Sequence, residues 1–135
     1  MRLWHKDLIC DLPNQQLLGQ HRECCALRGN GWGRKHATVN YVFNYPYEYL
    51  YSYHLKVIEE MNKRGYKVDN NWINFNYRGK NCLEKIEKIN RYYLNKPYME
   101  HDNNYLMECI ENLTIKGTKP INDSKWEIEK YLLKK

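Results

Sequence analysis

Between Leu17 and His36 the chain sets an acid beside an arginine, Arg22-Glu23, and then runs through Gly29-Asn30-Gly31-Trp32-Gly33 into Arg34-Lys35-His36. A carboxylate so placed can accept and return protons, and a basic run behind a glycine-rich loop can grip phosphates through side chains and backbone N–H groups. The loop lacks the Walker pattern, which argues against a nucleoside triphosphate cradle. A three-residue basic cluster is also what an ordinary solvated surface carries.

Gly19 is the other unusual residue, because a glycine inside a helix costs about 1 kcal/mol relative to alanine. Helical side chains lean toward the N-terminus, which puts the Glu23 carboxylate over the turn containing Gly19 and Gln20. Two readings follow from the spacing. Either the bare turn is open ground from which something approaches Glu23, or a second helix packs closely on Gly19 while Glu23 pairs with Arg22 or solvent.

Five cysteines, Cys10, Cys24, Cys25, Cys82 and Cys109, are odd in number and show no CxxC spacing. They are expected as reduced core thiols of a cytoplasmic protein, since Lys6, Asp7 and Asp11 break up any N-terminal signal or membrane segment. The alternative is zinc on Cys24, Cys25 and a histidine. It is opposed by geometry, because neighbours on one helix point about 100° apart. Neither a metal nor another cofactor is expected.

These residues must be positioned by helices. Arg2-Leu3-Trp4-His5 has no periodicity and reads as an extended arm laid on the core by Leu3 and Trp4. Asp11 offers an N-cap, Pro13 suits a first turn, and Leu17, Leu18, His21, Cys24, Cys25 and Arg28 follow at helical spacing, predicting a helix over Leu12–Leu27. Thr38 to Phe43 reads as an extended connection. From Pro46, Leu50, His54, Val57, Ile58 and Met61 mark a second helix, closed by Lys63, Arg64 and Gly65. Asn70 to Tyr77 suits an irregular loop anchored by aromatics. A third helix is predicted from Leu83, Ile86, Ile89 and Tyr93, a fourth is capped by Asp102 and carries Leu106, Cys109, Ile110 and Leu113 up to Gly117, and a short last helix spans Trp126 to Leu133.

The class is therefore all-α, a compact single-domain helical bundle with long irregular loops. At 135 residues the chain buries roughly two-thirds of its unfolded surface, enough for one core. Residues 1–117 are expected as that core and 118–135 as a helical appendage. A formal charge of +6 and a pI near 9.0 favour a polyanionic partner over a neutral metabolite. The 13 tyrosines suit base stacking, although an A+T-rich genome inflates Tyr, Asn, Lys and Ile together.

Gln15-Gln16-Leu17-Leu18-Gly19-Gln20-His21-Arg22-Glu23, with Arg34-Lys35-His36 and Lys63-Arg64-Gly65-Tyr66, resembles the pyrimidine-dimer DNA glycosylase family of the phage endonuclease V type. The likeness spans roughly Met1 to Val68 and, more faintly, Tyr98 to Lys116, where Tyr98 and His101 match a Tyr-x-x-His element. It implies a compact helical enzyme that cuts the glycosidic bond of a damaged pyrimidine and nicks the abasic site. The family's nucleophile is the chain's own α-amino group, which forms an imine with C1′ while a glutamate assists proton transfer. Carried over, these are Met1 and Glu23, with Arg22, Arg28, Arg34, Lys35 and His36 holding double-stranded DNA. An α-amine near pKa 7.8 offers on the order of 400-fold more neutral nucleophile at pH 7 than a lysine near 10.4.

Two departures stand out. Arg2 is too large for ordinary methionine removal, so Met1 is expected to be retained. The second arginine of the phage pattern is here Ala26, and Arg28 is expected to substitute from the helix end. The phage enzymes' aromatic C-terminal segment has only Arg91-Tyr92-Tyr93 as a loose counterpart. The expected enzyme is a monomer without membrane contact. Its rivals are a non-catalytic basic helical DNA-binding protein and an interaction module that docks through the tyrosines of Tyr47 to Tyr53.

Overall fold

Two prolines, Pro13 and Pro46, stand at the N-caps of the two helices that carry the site, each with extended ψ (153° and 151°). Neither has a capping side chain; their carbonyls receive the first helical bonds, from Leu17 N at 2.9 Å and Tyr49 N at 3.0 Å. The computed structural model describes residues 2–33, 40–80, 82 and 88–115. Within them lie α1 (Asn14–Arg28), α2 (Tyr47–Lys63) and α3 (Asn103–Ile115), four 3₁₀ turns and no strand. The all-α reading is correct.

α2 follows its sequence pattern closely. Leu50, His54, Val57, Ile58 and Met61 are all buried, and the helix ends at Arg64 and Gly65, whose φ of +87° lets the chain reverse without a Cβ clash. α1 starts two residues later than predicted and is not capped by Asp11. Lys6–Asp11 forms a 3₁₀ turn of its own, and Leu12, preceding a proline, is held extended (φ −62°, ψ 135°). α3 is capped as expected, the Asp102 carboxylate accepting from Tyr105 N at 2.9 Å.

Two segments differ from the prediction. Asn40–Asn44 is a 3₁₀ turn rather than an extended connection. Lys88 to Asn90 is not helical, and Arg91–Tyr93 makes only a 3₁₀ turn, because the Asn90 side chain takes the Tyr92 N–H at 3.1 Å and starts a tight turn there. Ile89 is exposed accordingly. Leu83, Ile86, Gly117 and the last helix lie outside the described residues.

One main core joins α1, α2, α3 and the N-terminal arm through Leu3, Trp4, Leu8, Leu17, Leu27, Leu50, Val57, Leu106 and Leu113. Cys24 and Cys109 are core thiols as expected, whereas Cys10 is exposed; no disulfide joins any of the five. No described helix is long and apolar enough to cross a membrane.

Candidate active site

The arm is an extended segment with no sheet to join, and side chains replace the missing neighbours. Gln20, buried on α1, accepts the Trp4 N–H on Oε1 at 2.7 Å and donates from Nε2 to the Arg2 carbonyl at 3.1 Å. Tyr53 of α2 donates to the Trp4 carbonyl at 2.6 Å, and Tyr105 of α3 donates to the Leu3 carbonyl. Leu3 and Trp4 are buried, as the sequence predicts. Gln20, Tyr53 and Tyr105 escaped sequence reasoning. Their signal was present for Gln20, which falls in register with Leu17, Cys24 and Leu27 on the core face and therefore needs polar partners.

Beside the arm a cleft opens between α1 and the end of α3. Arg2 and Trp4 line it with Gln16, Gly19, Arg22, Glu23, Ala26 and Asn112. Glu23 is 8 % exposed, so it is a cleft residue and not a surface acid. A Cβ built on Gly19 meets only the Arg22 guanidinium, Nη2 at 3.8 Å. Among the described residues no helix packs there, which favours the open reading of Gly19. Arg22 is exposed on the rim, and Arg2 lies over the Trp4 ring at 5.6 Å while pairing with Glu108 at 3.8 Å.

Arg28 is misassigned by the sequence. Its guanidinium is fully buried and its five N–H protons have five acceptors: Tyr47 Oη, His54 Nδ1 and Trp72 O at 2.8 Å, Asn74 O at 3.1 Å and Tyr77 O at 3.4 Å. Trp72 and Tyr51 flank it with ring centres at 5.1 Å. A buried charge so completely satisfied is structural, so Arg28 cannot stand in for the arginine missing at Ala26.

That saturation sets the protons of its neighbours. Arg28 can only donate, so His54 Nδ1 accepts, Nε2 carries the hydrogen, and this hydrogen points to His21 Nδ1 at 2.8 Å. Burial, with the charge of Arg28 second, holds His54 well below the ordinary histidine value; burial, then Arg22, lowers His21. Cys25 Sγ lies 3.7 Å from His21 Nε2, and burial pushes its thiol up to about 11. His21, Cys25 and His54 offer ligand atoms within 4.8 Å of one another, whereas Cys24 of the zinc alternative faces the core. A cation there would meet the His54 Nε2 proton where it needs a lone pair, and the side chain behind that ring is a donor, not the acceptor metal-bound histidines use.

The glycine-rich loop is tightly packed. A Cβ at Gly31 would lie 2.7 Å from the Ala26 carbonyl oxygen, and one at Gly29 2.8 Å from that of Arg78. Arg78, buried, returns the contact by donating to the carbonyls of Arg28 at 2.7 Å and Gly29 at 3.1 Å. Met1, Arg34, Lys35 and His36 lie outside the described residues.

The tyrosines are largely internal. Tyr47, Tyr51 and Tyr53 are buried, which removes them as a docking surface. Tyr98 and His101, the Tyr-x-x-His pair, sit among Tyr41, Tyr45 and Tyr49, with His101 Nε2 2.7 Å from the Tyr41 hydroxyl. Of the Arg91-Tyr92-Tyr93 turn, Tyr92 is exposed.

A sequence model of the pyrimidine dimer DNA glycosylase family matches residues 1–74, more than half of the 135-residue chain. The chain belongs to that family. The match takes in the arm, α1 with Gly19 and Glu23, α2, and the start of the loop that Arg28 holds. No curated protein and no solved structure matches the chain. As a member of a DNA glycosylase family it has DNA as substrate, consistent with its charge of +6.

Proposed function

We propose that the protein excises a damaged pyrimidine, a pyrimidine dimer or a similar lesion, and then cleaves the abasic site with the α-amine of Met1 as nucleophile. The observation that carries this reading is that Arg2 and Glu23 line one cleft, so residue 1 is a single peptide, about 3.8 Å between Cα atoms, from a wall that Glu23 also forms. The neutral amine attacks C1′ as the glycosidic bond breaks and the base leaves with its electron pair; Glu23 carries the amine's proton to O4′, the C1′–O4′ bond opens and the imine forms. Glu23 then accepts the C2′ proton, and β-elimination expels the 3′ phosphate. Gly19 leaves the space through which the sugar approaches the carboxylate. Arg22 on the cleft rim, with Arg34, Lys35 and His36, holds phosphates, and the nucleotide is flipped out to expose C1′. No step requires a metal.

The test is an untagged full-length protein, an abasic-site duplex and borohydride. An adduct located on Met1 by peptide mass, and a Glu23→Gln variant that binds duplex normally but forms adduct 10²–10⁴-fold more slowly, are the expected results. Salt-dependent duplex binding with neither adduct nor strand cleavage would favour the non-catalytic DNA-binding protein. A salt-independent response would remove DNA as the partner.

A further inference from the structure

We infer that Gln20 is a positioning residue for the attacking amine; the inference rests on the amine reading above. Its side-chain amide does for the arm what a neighbouring strand does in a sheet. Trp4 N–H and Arg2 C=O lie on the same side of an extended chain, and Gln20 takes both, at 2.7 and 3.1 Å. The amide has one possible orientation, because flipping it would set its N–H₂ against the Trp4 N–H and its oxygen against the Arg2 carbonyl.

The remaining carbonyls are also held. Trp4 O, on the Gln20 side, takes the Tyr53 proton, and Leu3 O, on the opposite side, takes that of Tyr105. Tyr53 Oη also lies 3.0 Å from Gln20 Oε1, so its single proton is shared between that oxygen and Trp4 O. The arm is therefore fixed from α1 and α2 on one side and α3 on the other. Gln20 sits between Gly19 and the turn bearing Glu23, so the group that orients the peptide before the amine and the group that handles the proton share one turn of one helix.

This arrangement separates orientation from acidity. Gln20→Met keeps length and apolar fit but removes both bonds. In the full chain the expected result is single-turnover adduct formation on an abasic duplex slowed on the order of 10–100-fold, because about 1 Å of misplacement costs that much. Duplex affinity should stay within about twofold, and the adduct should remain on residue 1. The deficit should persist across pH 6–9, since a higher pH restores a rate lost to protonation but not one lost to misplacement. Inserting glutamine between Met1 and Arg2, large enough for Met1 to be retained, leaves every buried contact intact, moves the amine by about one residue, 3.3–3.6 Å, and should slow adduct formation at least as much; it serves even where Gln20→Met fails to fold. Wild-type rates in a folded Gln20→Met protein or in the insertion variant would overturn the inference while leaving the amine mechanism standing. Absence of adduct in the wild type would take both down.

Discussion

Arg28 brings a full positive charge into the protein, five residues beyond a glutamate that faces a cleft, and the two have opposite fates on one helix. Every donor of Arg28 is matched to an acceptor inside the protein, four of them oxygens and one a histidine nitrogen. Removing it strands those acceptors, at about 1–3 kcal/mol for each buried group left unsatisfied. Arg28→Met is expected to lower unfolding stability by at least about 3 kcal/mol in urea titrations, while the folded fraction binds duplex with unchanged salt slope. A normal stability with a reduced slope would return Arg28 to the DNA interface. The sequence shows an arginine at the end of an apolar-spaced helix, which looks like a cation near the C-terminal dipole. What identifies it as internal is three backbone carbonyls contributed from 44 to 49 residues away, and backbone acceptors leave no trace in residue identity. Glu23 is a different case: its spacing from Gly19 leaves an open turn and close helix packing both possible, and no described helix covers Gly19.

At the scale of elements, α1 and α2 differ in how plainly they announce themselves. α2 turns a regularly spaced face inward, Leu50, Val57, Ile58 and Met61 with His54 among them, so both its existence and its ends are legible. α1 buries Gln20, Glu23 and Arg28 alongside Leu17, Cys24 and Leu27. Half of its inward positions are polar, and its amphipathic pattern is correspondingly blurred. The end of the predicted third helix, Lys88 to Tyr93, is not α-helical for a local reason: Asn90 competes for a backbone N–H that a helix would have used. Gly19 links helix stability to access. Gly19→Ala has room for its Cβ, 3.8 Å from Arg22 Nη2, and is expected to raise stability by about 0.5–1 kcal/mol from helix propensity. The bulkier Gly19→Leu should cut adduct formation at least tenfold with the melting temperature preserved; undiminished rates in Gly19→Leu would mean that the sugar does not approach over this turn.

For the whole molecule, the four described histidines are buried or, for His21, half-buried. Burial is the leading cause holding His5 and His21 below 6.5, His54 well below it and His101 at about 3, with Asp7 and Asp102 partly opposing at His5 and His101. The unfolded chain takes up these protons near 6.5 and the folded chain only at lower pH. Stability is therefore greatest above 6.5 and falls as the pH drops below it, each ring contributing up to about 1.4 kcal/mol per pH unit until its folded value is reached. Urea midpoints measured from pH 8 to pH 5 should decline steadily below 6.5, and a flat profile would contradict neutral, buried rings. Much of this organisation follows from composition: tyrosine and histidine, which a sequence reader assigns to DNA or to metal, serve here as large core residues with hydroxyls and ring nitrogens bound to one another.

The grip of Arg28 on Trp72, Asn74 and Tyr77, answered by Arg78 on the carbonyls of Arg28 and Gly29, fastens a segment with little regular structure through main-chain oxygens, beside the buried Phe75 ring. A protease that needs an extended, loosened stretch should find none between residues 72 and 78 until the whole core opens. The same feature frees the segment in descent. Because these anchors read peptide oxygens rather than side chains, an exposed residue such as Asn76 can be exchanged without loosening them, and new surface chemistry can be tried beside α1 at little cost to the fold.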